Sequence, residues 1–213
     1  MIDLPSLRQD YGEKPLRRED LENDPLKEFE KWFNLAHDAG ILEPNAMSLA
    51  TISPEGKPHI RSVLLKLYDE NGFIFFTNYQ SQKAKDIAIN PFVALHFAWL
   101  PLQKQLRIEG IAEKISTAES LSYFLSRPRG SQLGAWASNQ SEIVSSRSIL
   151  EAKFNEIKTK FLHGHVPLPD FWGGYRVKPT LYEFWQGGRD RLHDRFIYTP
   201  LQPNRWEINR IAP

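Results

Sequence analysis

The chain has 213 residues, enough for one substantial hydrophobic core, and its 41% apolar and 12% aromatic content is that of a folded globular protein. Its 27 Lys and Arg against 26 Asp and Glu leave a net charge of +1, too little for a global field that gathers nucleic acid or a membrane surface, so any anion site has to be local. There is no cysteine, which excludes disulfides, thiolate nucleophiles, iron–sulfur clusters and cysteine zinc sites, and redox chemistry would need a bound cofactor.

Residues 1–23 are rich in charge and poor in apolar periodicity, and a mobile arm is expected there. No basic region followed by an apolar run opens the chain, and no stretch approaches ~18 consecutive apolar residues. A soluble, cytoplasmic protein is the expectation. At Asp24-Pro25 an N-cap residue precedes a Pro suited to the first helical turn, and Leu26, Phe29, Phe33 and Ala36 then recur at helical spacing until Gly40. From Ala46 the period becomes that of strands: Ala46 to Ser53, His59 to Tyr68 and Phe73 to Asn78, separated by turn residues, read as a meander.

Ser81 can cap a short helix that Pro91 ends, and Val93, Leu95, Phe97 and Trp99 then alternate as a strand. In the next strand, near Lys104, Leu106 and Ile108 point one way and Gln105, Arg107 and Glu109 the other. Ser116 to Glu119 has capping-box spacing, with Leu121, Phe124 and Leu125 as the buried stripe of the helix it opens. A long helix is expected at about Ser146 to Phe161, with Leu150, Phe154, Ile157 and Phe161 on one face. Final strands fall near Leu181 to Trp185, Arg195 to Tyr198 and Trp206 to Ile211. The sum is a mainly β, α+β chain: one domain over residues 24–213, with an antiparallel, closed or nearly closed sheet and helices packed outside.

Four constellations carry chemistry. In Arg61-Ser62-Val63-Leu64-Leu65-Lys66, two cations lie on a largely apolar strand, and strict alternation puts them on opposite faces unless the strand bulges. Thr77 to Lys83 is a strand end running into a helix N-terminus, where N–H groups, hydroxyls and a Lys suit a phosphate. Tyr123 and Arg127, with Ser131 after the Pro128 break, offer a second phosphate cluster. The densest signal is C-terminal. Phe171-Trp172-Gly173-Gly174, Trp185-Gln186-Gly187-Gly188 and Arg191-Leu192-His193-Asp194-Arg195 supply flat apolar walls, close backbone approach and fixed donors for a planar anion. Two phosphate clusters beside an aromatic wall suggest one phosphorylated cofactor and one phosphorylated substrate. No Gly-x-Gly-x-x-Gly, Walker A or Gly-x-Ser-x-Gly motif occurs, and His163-Gly164-His165 has no carboxylate pattern that would make it a metal site.

Together these motifs, with Arg8-Gln9-Asp10-Tyr11, Gly134-Ala135-Trp136 and the final Arg210-Ile211-Ala212-Pro213, closely resemble the pyridoxamine/pyridoxine 5′-phosphate oxidases over nearly the whole chain. The resemblance implies an antiparallel split β-barrel that binds FMN, and a homodimer with FMN at the subunit interface. It implies oxidation of pyridoxine 5′-phosphate and pyridoxamine 5′-phosphate by O2 to pyridoxal 5′-phosphate, with H2O2 and, from the amine, NH3. Carried over by motif, FMN would be contacted by Arg61, Ser62, Val63, Leu64, Leu65, Lys66, Phe76, Thr77, Gln82, Lys83, Gln105, Gln140, Ser141, Trp185 and Arg195. Lys66, Tyr123, Arg127 and Ser131 would hold the substrate phosphate. Arg191, Leu192 and His193 would lie at the pyridine ring, with Arg191 and His193 catalytic, and Arg8, Gln9, Asp10 and Tyr11 would close as a lid. Gln82 stands where many relatives place Arg, which replaces one cationic phosphate contact by a neutral one. Two other readings are a related flavin reductase using a nicotinamide donor and a non-catalytic pyridoxal 5′-phosphate carrier.

Overall fold

The computed structural model describes residues 2–7, 10–12, 14–202 and 205–213. Helix α1 (Pro25–Asp38) forms where its caps direct it: the Asp24 carboxylate accepts the Leu26 N–H, Pro25 fills the first turn, and Gly40 follows the end at φ +69°. Phe29, Trp32 and Ala36 form its buried stripe. The remaining elements, in chain order, begin with β1 (Ala46–Ile52), β2 (Pro58–Leu64), β3 (Leu67–Asp69), β4 (Gly72–Asn78), α2 (Gln82–Ile89), β5 (Phe92–Trp99) and β6 (Lys104–Lys114). They continue with α3 (Thr117–Ser126), α4 (Arg129–Ala137), α5 (Arg147–Lys160), β7 (Trp172–Gln186), β8 (Asp194–Gln202) and β9 (Arg205–Ile211). The strands make a nine-stranded sheet with the path β2-β1-β5-β6-β7-β4-β3, β8 pairing with both β7 and β9. The registers of β3 on β4, β4 on β7, β7 on β8 and β8 on β9 are antiparallel.

The chain divides into two compact units, Met1–Leu49 with Ala94–Gly110 and Pro179–Pro213, and Ala50–Val93 with Ile111–Lys178. In the first, α1 lays Phe29 against Phe97 and Trp32 edge-on to Phe184. The expected arm is partly tied down there. Leu16 and Leu21 are buried, the Leu16 N–H donates to Asp194, and Tyr198 donates to the Glu22 carbonyl. In the second unit, Phe124, Leu133, Ala137, Ile157, Val166 and Trp172 form one core cluster under α3, α4 and α5.

Several expectations change. The strand expected from His59 to Tyr68 breaks at Leu65-Lys66, where Leu65 turns inward and the Lys66 N–H donates to the Ile74 carbonyl. The meander is interrupted rather than continuous: β1 pairs with β2 and β3 with β4, but β2 and β3 lie at opposite ends of the sheet path and β4 pairs on with β7. The capping box at Ser116 and Glu119 is present, but of the expected stripe only Phe124 is buried, Leu121 and Leu125 being 40% and 54% exposed. The short α3 needs no wider contact because Ser120 is also buried and accepts the Gly174 N–H. On α5, Ile157 alone of the expected face is buried and Leu150 is exposed. Pro128, read as a break, both ends α3 and supplies the N-cap residue of α4. Strand β7 begins nine residues earlier than the apolar run suggests, because Trp172, Gly173 and Gly174 pair with Asn78, Thr77 and Phe76.

Candidate functional site

In the second unit a cavity of about 340 Å³ opens between β2, β4 and the α3–α4 region. Ser62, Val63, Leu64 and Lys66 line one side, Phe76, Thr77 and Lys83 another, and Tyr123, Arg127, Gln140 and Trp172 complete it. The break after Leu64 turns Lys66 into this wall. Three aromatic rings are layered at its edge: Phe76 stacks on Tyr123 at 3.9 Å and on Trp172 at 5.4 Å. This layering explains the first Gly pair. A Cβ on Gly173 would collide with the Tyr79 hydroxyl, and one on Gly174 would come within 2.5 Å of Ile115 and 3.0 Å of Phe76.

The polar groups of the cavity are poised for an anion. Lys83, 8% exposed, donates to Thr77 Oγ1 and Gln140 Oε1, both at 3.2 Å. Burial, then the charge of Arg61, pushes its pKa down to about 8. The Arg127 guanidinium lies 4.6 Å from the Trp172 ring, and its Nη1 is buried without a hydrogen-bond partner among the described residues. Burial lowers Arg127 and raises Tyr123, so the tyrosine keeps its proton and can donate it in a hydrogen bond. A buried cationic N–H without an acceptor carries a desolvation cost that an entering phosphate or carboxylate removes.

Behind this wall lies a carboxylate that inspection of the motifs missed. Asp86 on α2 is fully buried and accepts from Thr51 Oγ1 at 2.7 Å, His59 Nδ1 at 2.9 Å and Gln82 Nε2 at 2.9 Å, with Arg61 Nη2 at 3.6 Å. Burial pushes its pKa up, but these hydrogen bonds outweigh burial and hold it below the ordinary value. Arg61 also donates to Thr51 Oγ1 at 2.7 Å. Arg61 and Lys66 are thus separated, Lys66 lining the cavity and Arg61 turned to Thr51 and Asp86. Gln82 spends its amide on Asp86 and its N–H on Ser141 Oγ. One signal for Asp86 was in the sequence: it is the only acid in α2, followed at once by Ile-Ala-Ile.

The first unit holds a second cluster. Trp185 and His193 lie with ring centroids 4.7 Å apart, and Tyr11 packs edge-on to both, at 5.8 Å and 5.4 Å. The second Gly pair makes this possible. A Cβ on Gly187 would come within 2.8 Å of the Tyr11 ring, and one on Gly188 would collide with the Leu192 carbonyl oxygen. The Gly188 N–H donates to His193 Nδ1 at 3.1 Å, which fixes the neutral imidazole with its proton on Nε2. Burial and the nearby Arg191 lower the His193 pKa. Arg191 and Asp190 both have left-handed backbones, φ +64° and +54°, a conformation that costs energy in non-Gly residues and marks functional turns. Arg195 sits directly across the ladder from Trp185.

Of the other expected residues, Leu65 is buried, Gln105 pairs with His96, and Asp10, Leu192 and Ser131 are exposed, Ser131 lying on the first turn of α4 outside the cavity lining. Arg8 and Gln9 lie outside the described residues. Asn78, from the expected Thr77 to Lys83 run, lines the cavity, and Ala135 and Ser138 line it without having been expected as site residues. Among the described residues no group of His, Asp and Glu is arranged to hold a metal, and no helix is long and apolar enough to cross a membrane.

The sequence matches the family model described as pyridoxamine 5′-phosphate oxidase over residues 33–161, and that of the pyridoxine 5′-phosphate oxidase C-terminal dimerisation region over residues 172–213. It is 61% identical to a pyridoxine/pyridoxamine 5′-phosphate oxidase of Crocosphaera subtropica and 58% identical to one of Aliarcobacter butzleri, covering 100% of both chains in each case. Among solved structures it resembles PhzG from Burkholderia lata in complex with tetrahydrophenazine-1-carboxylic acid, with a TM-score of 0.87, 27% identity, and coverage of 94% of this chain and 99% of that one. A pyridoxamine 5′-phosphate oxidase-related, FMN-binding protein from Nostoc punctiforme shares the fold, with a TM-score of 0.71, 14% identity, and coverage of 91% and 100%. The expected fold class, an antiparallel split barrel with helices, is borne out. Full-length identity and matches to both segments of the family agree with the stacked rings, buried cations and paired glycines: the chain belongs to the pyridoxine/pyridoxamine 5′-phosphate oxidase family.

Proposed function

We propose that this protein is an FMN-dependent oxidase that converts pyridoxine 5′-phosphate and pyridoxamine 5′-phosphate to pyridoxal 5′-phosphate. The observation that carries the reading is the pairing of two phosphate-competent ends in one cavity: Lys83 with Thr77 and Gln140, and Arg127 with Tyr123 and Lys66. The donor set fits FMN. A desolvated ammonium and the neighbouring hydroxyls suit its phosphate, and Phe76 with the strand from Ser62 to Leu64 gives an apolar wall for a flat ring. The orphaned Arg127 Nη1 suits the phosphate of the vitamer.

When bound, FMN supplies a two-electron acceptor that passes its electrons to O2, so the alcohol yields aldehyde and H2O2, and the amine, with water, yields aldehyde, NH3 and H2O2. The chain's own residues bind, orient and protect. Lys66, Tyr123, Arg127 and Ser131 take the vitamer phosphate as a handle, which lets binding energy fix the reacting carbon. Arg61, the strand Ser62 to Lys66, Phe76, Thr77, Gln82, Lys83, Gln105, Gln140, Ser141, Trp185 and Arg195 hold the cofactor, at the interface of a homodimer. Gln82 contributes through its backbone and Asp86, not as a cation. Arg191 and His193 meet the pyridine ring. In the neutral tautomer that Gly188 imposes, His193 offers an Nε2–H donor, which orients the substrate oxygen or ring and is not a base. Tyr11, already on Trp185 and His193, closes the site against water together with Asp10.

The test is aerobic turnover by the FMN-loaded, full-length protein. Aldehyde and peroxide should form in equal amounts from pyridoxine 5′-phosphate, with ammonia added from pyridoxamine 5′-phosphate. No turnover of either vitamer by flavin-saturated protein overturns the reading, and rapid flavin reduction by NADH alone points to a reductase.

A further inference from the structure

Glu183 is a buried carboxylate, 6% exposed, placed on β7 two residues before Trp185 and therefore on the same face of the strand. Its Oε1 accepts from Arg195 Nε at 2.7 Å and lies 2.6 Å from Arg195 Nη2 as an ion pair. Its Oε2 accepts from Arg107 Nε at 3.1 Å and Nη2 at 2.5 Å, and Arg107 also pairs with Glu109. A second hydrogen bond holds Arg195 from the other side, where its Nη1 donates to the Ala212 carbonyl at 2.9 Å. Arg195 is thus held by hydrogen bonds from Nε and Nη1 and by the ion-pair contact of Nη2, and the plane of the group is fixed.

We propose that Glu183 is a positioning residue for the cofactor, holding the Arg195 guanidinium so that its remaining terminal N–H donors are presented to FMN as a preset fork. The inference rests on the reading above of Arg195 as an FMN contact. A long, flexible side chain beside Trp185 would otherwise have to be ordered by the cofactor itself, at the expense of affinity. With Oε1 given to Arg195 and Oε2 to Arg107, the carboxylate ties the residue that contacts the cofactor to the neighbouring strand β6. Burial pushes the Glu183 pKa up, and the hydrogen bonds and charges of Arg107 and Arg195 more than reverse this, so the carboxylate stays ionised and its hold on Arg195 persists through the neutral range.

The test compares wild-type holoenzyme with Glu183→Gln, Glu183→Asp, Arg195→Ala and the Glu183→Gln/Arg195→Ala pair. FMN dissociation constants come from flavin fluorescence on serial dilution, and the visible spectrum of the bound flavin is a second readout. Glu183→Gln should weaken FMN by roughly tenfold and shift the spectrum in the same sense as Arg195→Ala, and the pair should be no weaker than Arg195→Ala alone. Glu183→Asp keeps the charge and shortens the reach, so it should fold and give a smaller loss, which covers a Glu183→Gln protein that does not fold. Wild-type affinity and spectrum in the Glu183 variants, beside a weakened Arg195→Ala, overturn the proposal, as do losses that multiply in the pair. An Arg195→Ala enzyme with unchanged FMN binding removes Arg195 from the cofactor site and the proposal with it.

Discussion

Lys83 shows how a single residue can tune an anion site. Burial and Arg61 hold its pKa down to about 8, so the cofactor-free site loses a proton just above neutrality. A bound phosphate favours the charged ammonium and raises that pKa again. FMN affinity should therefore be flat below pH 8 and fall above it, by up to about tenfold per pH unit until the pKa of the complex is reached. Titrations across that pH range check this, and Lys83→Met should weaken FMN and abolish the slope. The same slope in the variant would assign the titration to another group. His193 titrates in the other direction. Its lowered pKa leaves it neutral at pH 7, and protonation on acidification breaks the bond from the Gly188 N–H, so kcat/KM should decline only below its ordinary pKa of about 6.5. If His193 serves as a donor, His193→Gln, which keeps an N–H, retains more activity than His193→Ala. Equal loss in both, with FMN retention intact, would favour a base.

At the level of elements, the two Gly pairs decide how closely rings and turns approach the backbone. Gly173→Ala drives a methyl into the Tyr79 hydroxyl, and Gly188→Ala drives one into the Leu192 carbonyl. Each should destabilise by about 1–3 kcal/mol, or roughly 2–4 °C in Tm per kcal/mol for a chain of this size. Thermal melts should show both losses, but Gly188→Ala should in addition lower kcat/KM, because it displaces the turn that carries Arg191 and His193. Elements with local punctuation were legible: Asp24-Pro25 opened α1, Ser116 and Glu119 opened α3, and alternation found β5 and β6. The unread ones lacked such signals. Helix α4 contains Gly130 and Gly134 and begins behind a Pro, which resembles a loop. The first half of β7 contains Gly173 and Gly174, which weaken strand propensity, and it is set by its ladder with β4. The break at Leu65-Lys66 is a tertiary effect: Lys66 bonds to Ile74, and nothing in an apolar run announces that.

For the whole molecule, near-neutral charge directed attention to local anion sites, and the residues that line the cavity were mostly legible as motifs. Lys66, Phe76, Thr77, Lys83, Tyr123, Arg127 and Gln140 all meet there. The carboxylates Asp86 and Glu183 were not legible as partners of the arginines they hold, because pairing across strands depends on a sheet order that consecutive motifs do not encode. The C-terminal segment matches a dimerisation region, and the proposed placement of FMN at the dimer interface would couple binding to assembly. FMN should then stabilise the folded dimer, by about 2.7 kcal/mol at a free concentration one hundred times its dissociation constant. Melting and sedimentation with and without FMN test this, and a Tm indifferent to FMN would contradict it.

In the proposed reaction, vitamer and flavin meet in one oxidative site. Its most direct test is an anaerobic visible spectrum of the FMN-loaded protein, taken before and after adding pyridoxine 5′-phosphate and again after admitting air. The flavin band should bleach and then recover in air, with one pyridoxal 5′-phosphate formed per flavin reduced. A flavin band unchanged by saturating vitamer, with bound FMN confirmed, would contradict it.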